Sequence, residues 1–205
     1  MKETAPAVTV PAEAASPVLP PAPGAEQHAA LAFANSAITL PGNQFVDLLG
    51  TPAGANQWLV DHGLAPVGAG LQEVCAARMR SLRDHVRDLL ASHVSGEPAP
   101  AAALTAVNDA LTRVPTASPL SWAPDQGLHR TPPHPVNQIV DQALGILAAS
   151  AADLLTGPDA ERLTACGSTP CNRYLLRAGR RHWCSVRCGD RARAARARRP
   201  QPATD

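Results

Sequence analysis

Between Gly70 and Val94 the apolar residues Leu71, Val74, Cys75, Met79, Leu82, Val86, Leu89 and Leu90 recur at three- and four-residue intervals. That spacing puts one stripe of side chains on a single helix face. Arg80, Arg83, Asp84 and Arg87 fall outside the stripe and read as a solvated outer face. Cys75 lies on the stripe with no base nearby in sequence, which suits a small buried hydrophobe better than a nucleophile. Upstream, Thr51–Pro52 supplies an N-cap and a first-turn proline for a helix that carries Trp58, Leu59 and Val60 and stops before Gly63. Residues 99–113 predict an alanine-rich helix closed by Pro115. Val136 to Leu155 predicts another, with Ile139, Val140, Leu144, Leu147 and Leu154 facing a core and Gly157–Pro158 ending it. Two segments break this helical pattern. LAFANSAITL at 31–40 is apolar around a polar Asn35–Ser36 step, and both a buried strand and a short helix remain open. LSW and LHRT flank Pro124-Asp125-Gln126-Gly127, a turn sequence that predicts a short hairpin.

Composition adds limits. The chain has 205 residues, enough for one medium domain and a small appendage. Aromatics make up only 3% of it, so Leu, Val and Ala must build the core, which favours helices over a sandwich. Residues 1–24 hold six prolines among alanines and predict a disordered lead that cannot offset its own ordering entropy. No run approaches 18 consecutive apolar residues, so no membrane span is expected. MKETAPAVTV lacks the pattern of a secretory signal, and the expected location is the cytoplasm, in association with the nucleoid. The arginine, alanine and proline bias suggests a GC-rich bacterial genome.

The net charge of +1 conceals a division. Residues 1–161 carry seven basic against fifteen acidic side chains, whereas residues 162–205 carry eleven arginines against Asp190 and Asp205. An acidic body with a basic tail points to an anionic partner at one end. The tail also holds Cys166, Cys171, Cys184 and Cys188, a C-x4-C pair and a C-x3-C pair separated by twelve residues. Each pair fits within a turn, so four sulfurs can converge tetrahedrally on one zinc ion. A disulfide framework is the weaker alternative for such spacing. The site reads as structural. A catalytic zinc keeps an open position and a carboxylate to manage a proton, and the only acid within the segment is Asp190, beyond the last cysteine. Arg173–Leu176 and Arg180–Trp183 are expected to form a hairpin turning at Ala178–Gly179, and Ser185 to start a helix with Cys188 in its first turn. The resulting knuckle, hairpin and helix is treble-clef-like. The overall prediction is an α+β chain: a mainly helical body with a short hairpin, then a small zinc module.

At about 100° per residue, Arg187, Arg191 and Arg198 fall within about 40° of one another on that last helix. With Arg180, Arg181 and Arg193 they form the candidate nucleic-acid contacts, and Arg199 extends the patch. Few aromatics are available for stacking, which favours double-stranded DNA over single strands. The bland alternative is a charged surface that binds nothing. His129 and His134, in a proline-rich loop, lack a third ligand and read as surface residues. No P-loop, dinucleotide-binding glycine motif, nucleophile–base pair or carboxylate dyad is visible, so an enzyme in the body is the last-ranked reading.

The C-x4-C pair, the Trp183–Ser185 WCS, and the second cysteine pair running into CGDR at Cys188–Arg191 and an Ala/Arg-rich helix together resemble the CGNR zinc finger. LAFANS at 31–36 and the helix ending WLVDHGL extend the resemblance to bacterial proteins that join an ABATE domain to that finger, described as stress-induced transcription regulators. The resemblance covers roughly residues 28 to 199 by motif order. Asp190 stands where the family has asparagine, the linker between the cysteine pairs is short, and Arg177 replaces an aspartate. The resemblance implies an ABATE-like body at 25–157 and a CGNR-type finger at 158–199, between the lead at 1–24 and a disordered tail at 200–205. It implies structural Zn(2+), double-stranded DNA as partner, and a body that senses a small-molecule effector or forms a homodimer. Asn35 is the candidate pocket residue of the body, with capping of a local turn as its alternative. A zinc-stapled protein–protein interaction module is the rival function.

Overall fold

The computed structural model describes residues 20–42, 44–113, 120–130, 139–179 and 181–198. The ambiguous segment at 31–40 is both of its alternatives. Ala29–Ala34 is a short helix, α1, which ends at Asn35, and Ala37–Leu40 is a strand, β1. The polar Asn35–Ser36 step is where the chain changes period. β1 pairs antiparallel with β2 (Gln44–Asp47) in the register Ala37↔Asp47 and Leu40↔Gln44. Helix α2 (Pro52–Asp61) starts as its sequence requires: the Thr51 hydroxyl accepts from the Gly54 N–H at 3.1 Å. Gly63 then leaves the helix at φ +67°.

Helix α3 (Glu73–Ser95) is the longest element among the described residues and closes on Gly96 at φ +72°. Met79, Leu82, Val86, Leu89 and Leu90 are buried along it, as the stripe predicts, and so is Ala76. The stripe's upstream end differs. The helix begins at Glu73, Leu71 precedes it, and Val74 is 61% exposed. Its polar face differs more. Arg83 is only 4% exposed and pairs with Asp47 of β2 at 2.5 Å and with Asp84 at 3.1 Å. Burial pulls the Arg83 guanidinium down, but the hydrogen bonds and charges of Asp47 and Asp84 outweigh it and hold the group above its ordinary value. Arg87, half-buried, donates to the backbone oxygens of Ala34 and Asn172. The solvated face expected for these arginines is therefore corrected. The β1–β2 hairpin and the C-terminal module cover it.

Helix α4 (Ala101–Arg113) and helix α5 (Ile139–Thr156) pack on each other and on α3, and α5 also contacts α1. Between them, β3 (Leu120–Ala123) and β4 (Gly127–Arg130) form the expected hairpin. The first residues expected for the fourth helix, 136–138, lie outside the described residues. α5 is long and apolar enough to cross a membrane by composition. It packs against α1, α3 and α4 and buries Val140, Ala143, Leu144, Leu147, Ala148, Ala151 and Leu154.

A turn of 3-10 helix at Ala160–Arg162 leads into β5 (Leu163–Ala165), which pairs antiparallel with β6 (Tyr174–Leu176). Helix α6 (Val186–Ala197) follows in the module. The hairpin expected between the two cysteine pairs is corrected. β6 takes its partner from upstream of Cys166, not from residues 181–183. The lead is corrected at its end as well. Residues 20–24, assigned to it by composition, pack on the module: Ala22 is 1% exposed, and Pro23 accepts from the Leu176 N–H at 2.8 Å.

Candidate metal centre and basic surface

The cysteine site is assembled from the ends of β5 and α6. Leaving β5, the Cys166 N–H bonds to the Arg173 oxygen at 2.8 Å and extends the strand ladder by one step. The chain then turns tightly enough for the Cys171 N–H to reach the Ser168 oxygen at 2.8 Å. Cys184 precedes Ser185, the N-cap of α6, whose hydroxyl accepts from the Cys188 N–H at 3.2 Å. This places Cys188 in the first helical turn, as the spacing requires. Ala22 and Leu175 are buried with the cysteines, and Trp183 packs against them.

All four sulfurs lie within 4.8 Å of one another. Cys184 Sγ is 3.7 Å from that of Cys171 and 3.6 Å from that of Cys188. Zinc–sulfur bonds of about 2.3 Å in a tetrahedron place sulfurs about 3.8 Å apart, so the donors fit zinc. Disulfide sulfurs would stand at about 2.05 Å, and all four cysteines are free. The donor environment fits as well. Each sulfur faces an N–H group: Cys166 that of Cys184 at 3.5 Å, Cys171 that of Arg173, Cys184 the guanidinium of Arg173 at 3.8 Å, and Cys188 that of Arg191 at 3.3 Å. Thiols are weak acceptors and thiolates strong ones, so this shell suits four charged ligands. Among themselves, the hydrogen bonds from Cys171 and Cys184 push the Cys166 thiol down, while the bond to Cys166 pushes Cys171 up. A bound dication would end that competition, with all four cysteines held as thiolates. With four protein ligands the ion is structural and supplies folding energy. His182, between the cysteine pairs, is exposed, and its backbone oxygen accepts from the Gly167 N–H at 3.1 Å.

The predicted contact residues separate into distinct environments. Arg187 and Arg198 are exposed on α6. Arg181 is exposed and donates to the Trp183 oxygen at 3.1 Å. Arg191 is half-buried, turned inward to Cys188. Arg193 pairs with Asp190 at 2.5 Å and lies over the Trp183 ring at 5.8 Å, and Arg196 lies over the same ring at 5.6 Å. Asp190 thus neutralises one helix neighbour three positions away. Gly189 permits the arrangement, because a Cβ there would stand 3.3 Å from the Trp183 ring. Arg180 and Arg199 lie outside the described residues.

Asn35 holds the two halves of the molecule together. Its amide donates to the Tyr174 oxygen and accepts from the Tyr174 N–H, both at 2.8 Å. With the Pro23 oxygen it caps the edge of β6 that β5 leaves open. Asn35 also lines a cleft of about 320 Å³ beside α2, but both ends of its amide are engaged by Tyr174. Arg87 lies 5.3 Å from the Tyr174 ring centre, and Asn172 accepts from the Thr39 N–H of β1 at 2.9 Å. The sequence reading missed Arg173, which is 4% exposed and reaches both Cys184 and the Pro20 oxygen, the latter at 2.8 Å. Its place two residues after Cys171 was the only available signal.

A family model described as "Putative stress-induced transcription regulator", ABATE, matches residues 27–158, and that of the CGNR zinc finger matches residues 162–201. Neither is an enzyme family. No curated protein matches the chain. The ABATE match spans the helical body and the finger match spans all four clustered cysteines, so the chain belongs to the ABATE family and carries a CGNR zinc finger with a structural zinc site.

Proposed function

We propose that the chain is a regulator that binds double-stranded DNA through its zinc module, with the helical body sensing an effector or pairing with a second copy, in the bacterial cytoplasm. The observation that carries this reading is how the arginines are used. Those of the body are committed: Arg78 pairs with Asp141, Arg80 with Glu73, Arg83 with Asp47, and Arg87 bonds backbone oxygens. On the module, Arg187 and Arg198 are exposed and make no side-chain hydrogen bond or ion pair among the described residues, Arg177 and Arg181 are exposed and bond only backbone oxygens, and Arg196 is exposed over Trp183. The zinc fixes the start of α6, so Arg187 stands on a rigid element, one residue from a ligand. Rigid, exposed guanidiniums suit the phosphate backbone of a duplex.

Duplex binding measured by fluorescence anisotropy across a salt series tests the reading. Affinity is expected to fall log-linearly with salt, with a slope of about −0.9 per phosphate contact. Arg187→Ser and Arg198→Ser should each reduce that slope by about one contact while leaving the zinc content intact. Binding indifferent to these substitutions and to chelation would sink the proposal. A protein-binding reading is favoured by a different feature. On the β3–β4 hairpin, Leu120, Trp122 and Leu128 are each at least 67% exposed. Capture of an acidic protein without duplex affinity would select that alternative.

A further inference from the structure

We infer that the cleft between helix α4 and the carboxyl ends of α3 and α5 is a binding site for a small apolar molecule that carries one ammonium group. The cleft has a volume of about 420 Å³, a size typical of ligand pockets set between the helices of a bundle. Leu89, Leu104, Val107, Leu111 and Leu155 give it an apolar lining. That lining is open to a ligand: Leu104 is 44% exposed, and Leu111 and Leu155 are half-buried. Few of its polar groups are available. The Ser92 hydroxyl donates to the Asp88 oxygen and the Thr156 hydroxyl to the Ala152 oxygen, so both are spent on their own helices. Glu97 and Asn108 also line the cleft and are exposed, and the Glu97 carboxylate makes no hydrogen bond or ion pair among the described residues.

The charge around the cleft selects the head group of the ligand. Among the described residues, Glu97 is the one acid that lines it, and no arginine or lysine does. Helices α3 and α5 both bring their carboxyl ends, which carry partial negative charge, and the amino end of α4 offsets one of them. The surrounding body is acidic, with fifteen carboxylates against seven basic side chains over residues 1–161. An ammonium toward Glu97 and an apolar chain over Leu104, Leu111 and Leu155 satisfy both parts of the lining. A carboxylate would meet Glu97 with like charge, and a cation without a chain would leave the leucines in water. His93 also lines the cleft, and its Nε2–H donates to the Ala160 oxygen at 2.8 Å. Ala160 opens the 3-10 turn that leads into β5. An occupant therefore sits beside a bond between the body and the start of the finger. Its use as the effector sensed by the body rests on the function proposed above; binding itself does not.

Isothermal titration of the zinc-loaded full chain with ethylammonium, butylammonium, hexylammonium, hexanol and hexanoate tests the site without DNA. Affinity is expected to rise with chain length among the amines, with hexanol weaker than hexylammonium and hexanoate weaker still. Glu97→Gln should weaken hexylammonium by roughly tenfold through loss of a charge-assisted contact, while hexanol is unaffected. Asn108→Trp, from an exposed position on α4, should abolish binding of both by filling the cleft, with far-UV helicity unchanged. Ala99→Trp, from an exposed position before α4, is a second obstruction should the first variant fail to fold. Absence of hexylammonium binding, hexanoate binding as tight as hexylammonium, an indifferent Glu97→Gln variant, or an unchanged affinity in a folded obstructed variant would overturn the inference. A protein that binds hexylammonium but no duplex would keep this site and lose only the regulator reading.

Discussion

The side chain of Asn35 acts as a length of strand. Its amide presents one donor and one acceptor to Tyr174 in the way a neighbouring peptide group would, at a place where the real chain has already turned away. Asn35→Ala would leave a buried N–H and a buried oxygen unpaired, and should destabilise the protein by about 1–3 kcal/mol, read from a denaturant midpoint, with faster exchange of the Tyr174 amide. Gly189 acts through what it lacks. Gly189→Val should push Trp183 from α6 and release Arg193 and Arg196 from its ring, changing the Trp183 near-UV signal while the cysteines still retain zinc. Neither role was readable from local sequence. Asn35 sits where a turn cap is the ordinary expectation, and its partner lies 139 residues away. The zinc ligands are the contrary case, because each pair closes within one turn and its spacing is written locally.

At the scale of elements, α5 and α3 were legible because their apolar period runs for many turns. The exact limits of the stripe were not. Leu147 is fully buried, and Leu147→Ala should cost about 2–5 kcal/mol. Val74 continues the same helical period as the α3 core, yet is 61% exposed, so Val74→Ala should change stability by no more than about 0.5 kcal/mol. Paired urea titrations of the two variants check both. The strand partner of β6 was misread for a similar reason. Residues 180–183 are nearer along the chain, but Leu163–Ala165 bring buried Leu163 opposite buried Leu176 and connect the finger to the body. Pairing followed burial, and burial is set by what lies across the strand.

The described residues form two hydrophobic clusters. One fills the helical bundle and ends on Leu163, Tyr174 and Leu176, and the other surrounds the cysteines. Stripping zinc with a chelator should therefore dissolve the second cluster and its Trp183 signal while most far-UV helicity survives. Acid should do the same as the thiolates take up protons and release the metal. Circular dichroism with parallel zinc assays checks both, and wholesale loss of helix on chelation would contradict the division. The clusters are nonetheless fastened to each other. Asn35, Arg87 and Thr39 of the body all engage residues 172–174 of the finger. The finger is not a bead on a linker, and a disturbance of β1 or α1 reaches the zinc ligands through at most a few bonds.

The sequence by itself determined helices α2 to α6, the β3–β4 hairpin and the four zinc ligands. Each depends on residues within one or two turns of each other, so period and spacing record it. Tertiary structure alone decided the fate of the polar groups. It buried Arg83 against Asp47, turned Arg173 and Arg191 toward sulfur, and left Arg187 and Arg198 in solvent. An arginine's charge is the same in every setting. Its use depends on which carboxylate, oxygen or sulfur the fold brings within about 3–4 Å of it.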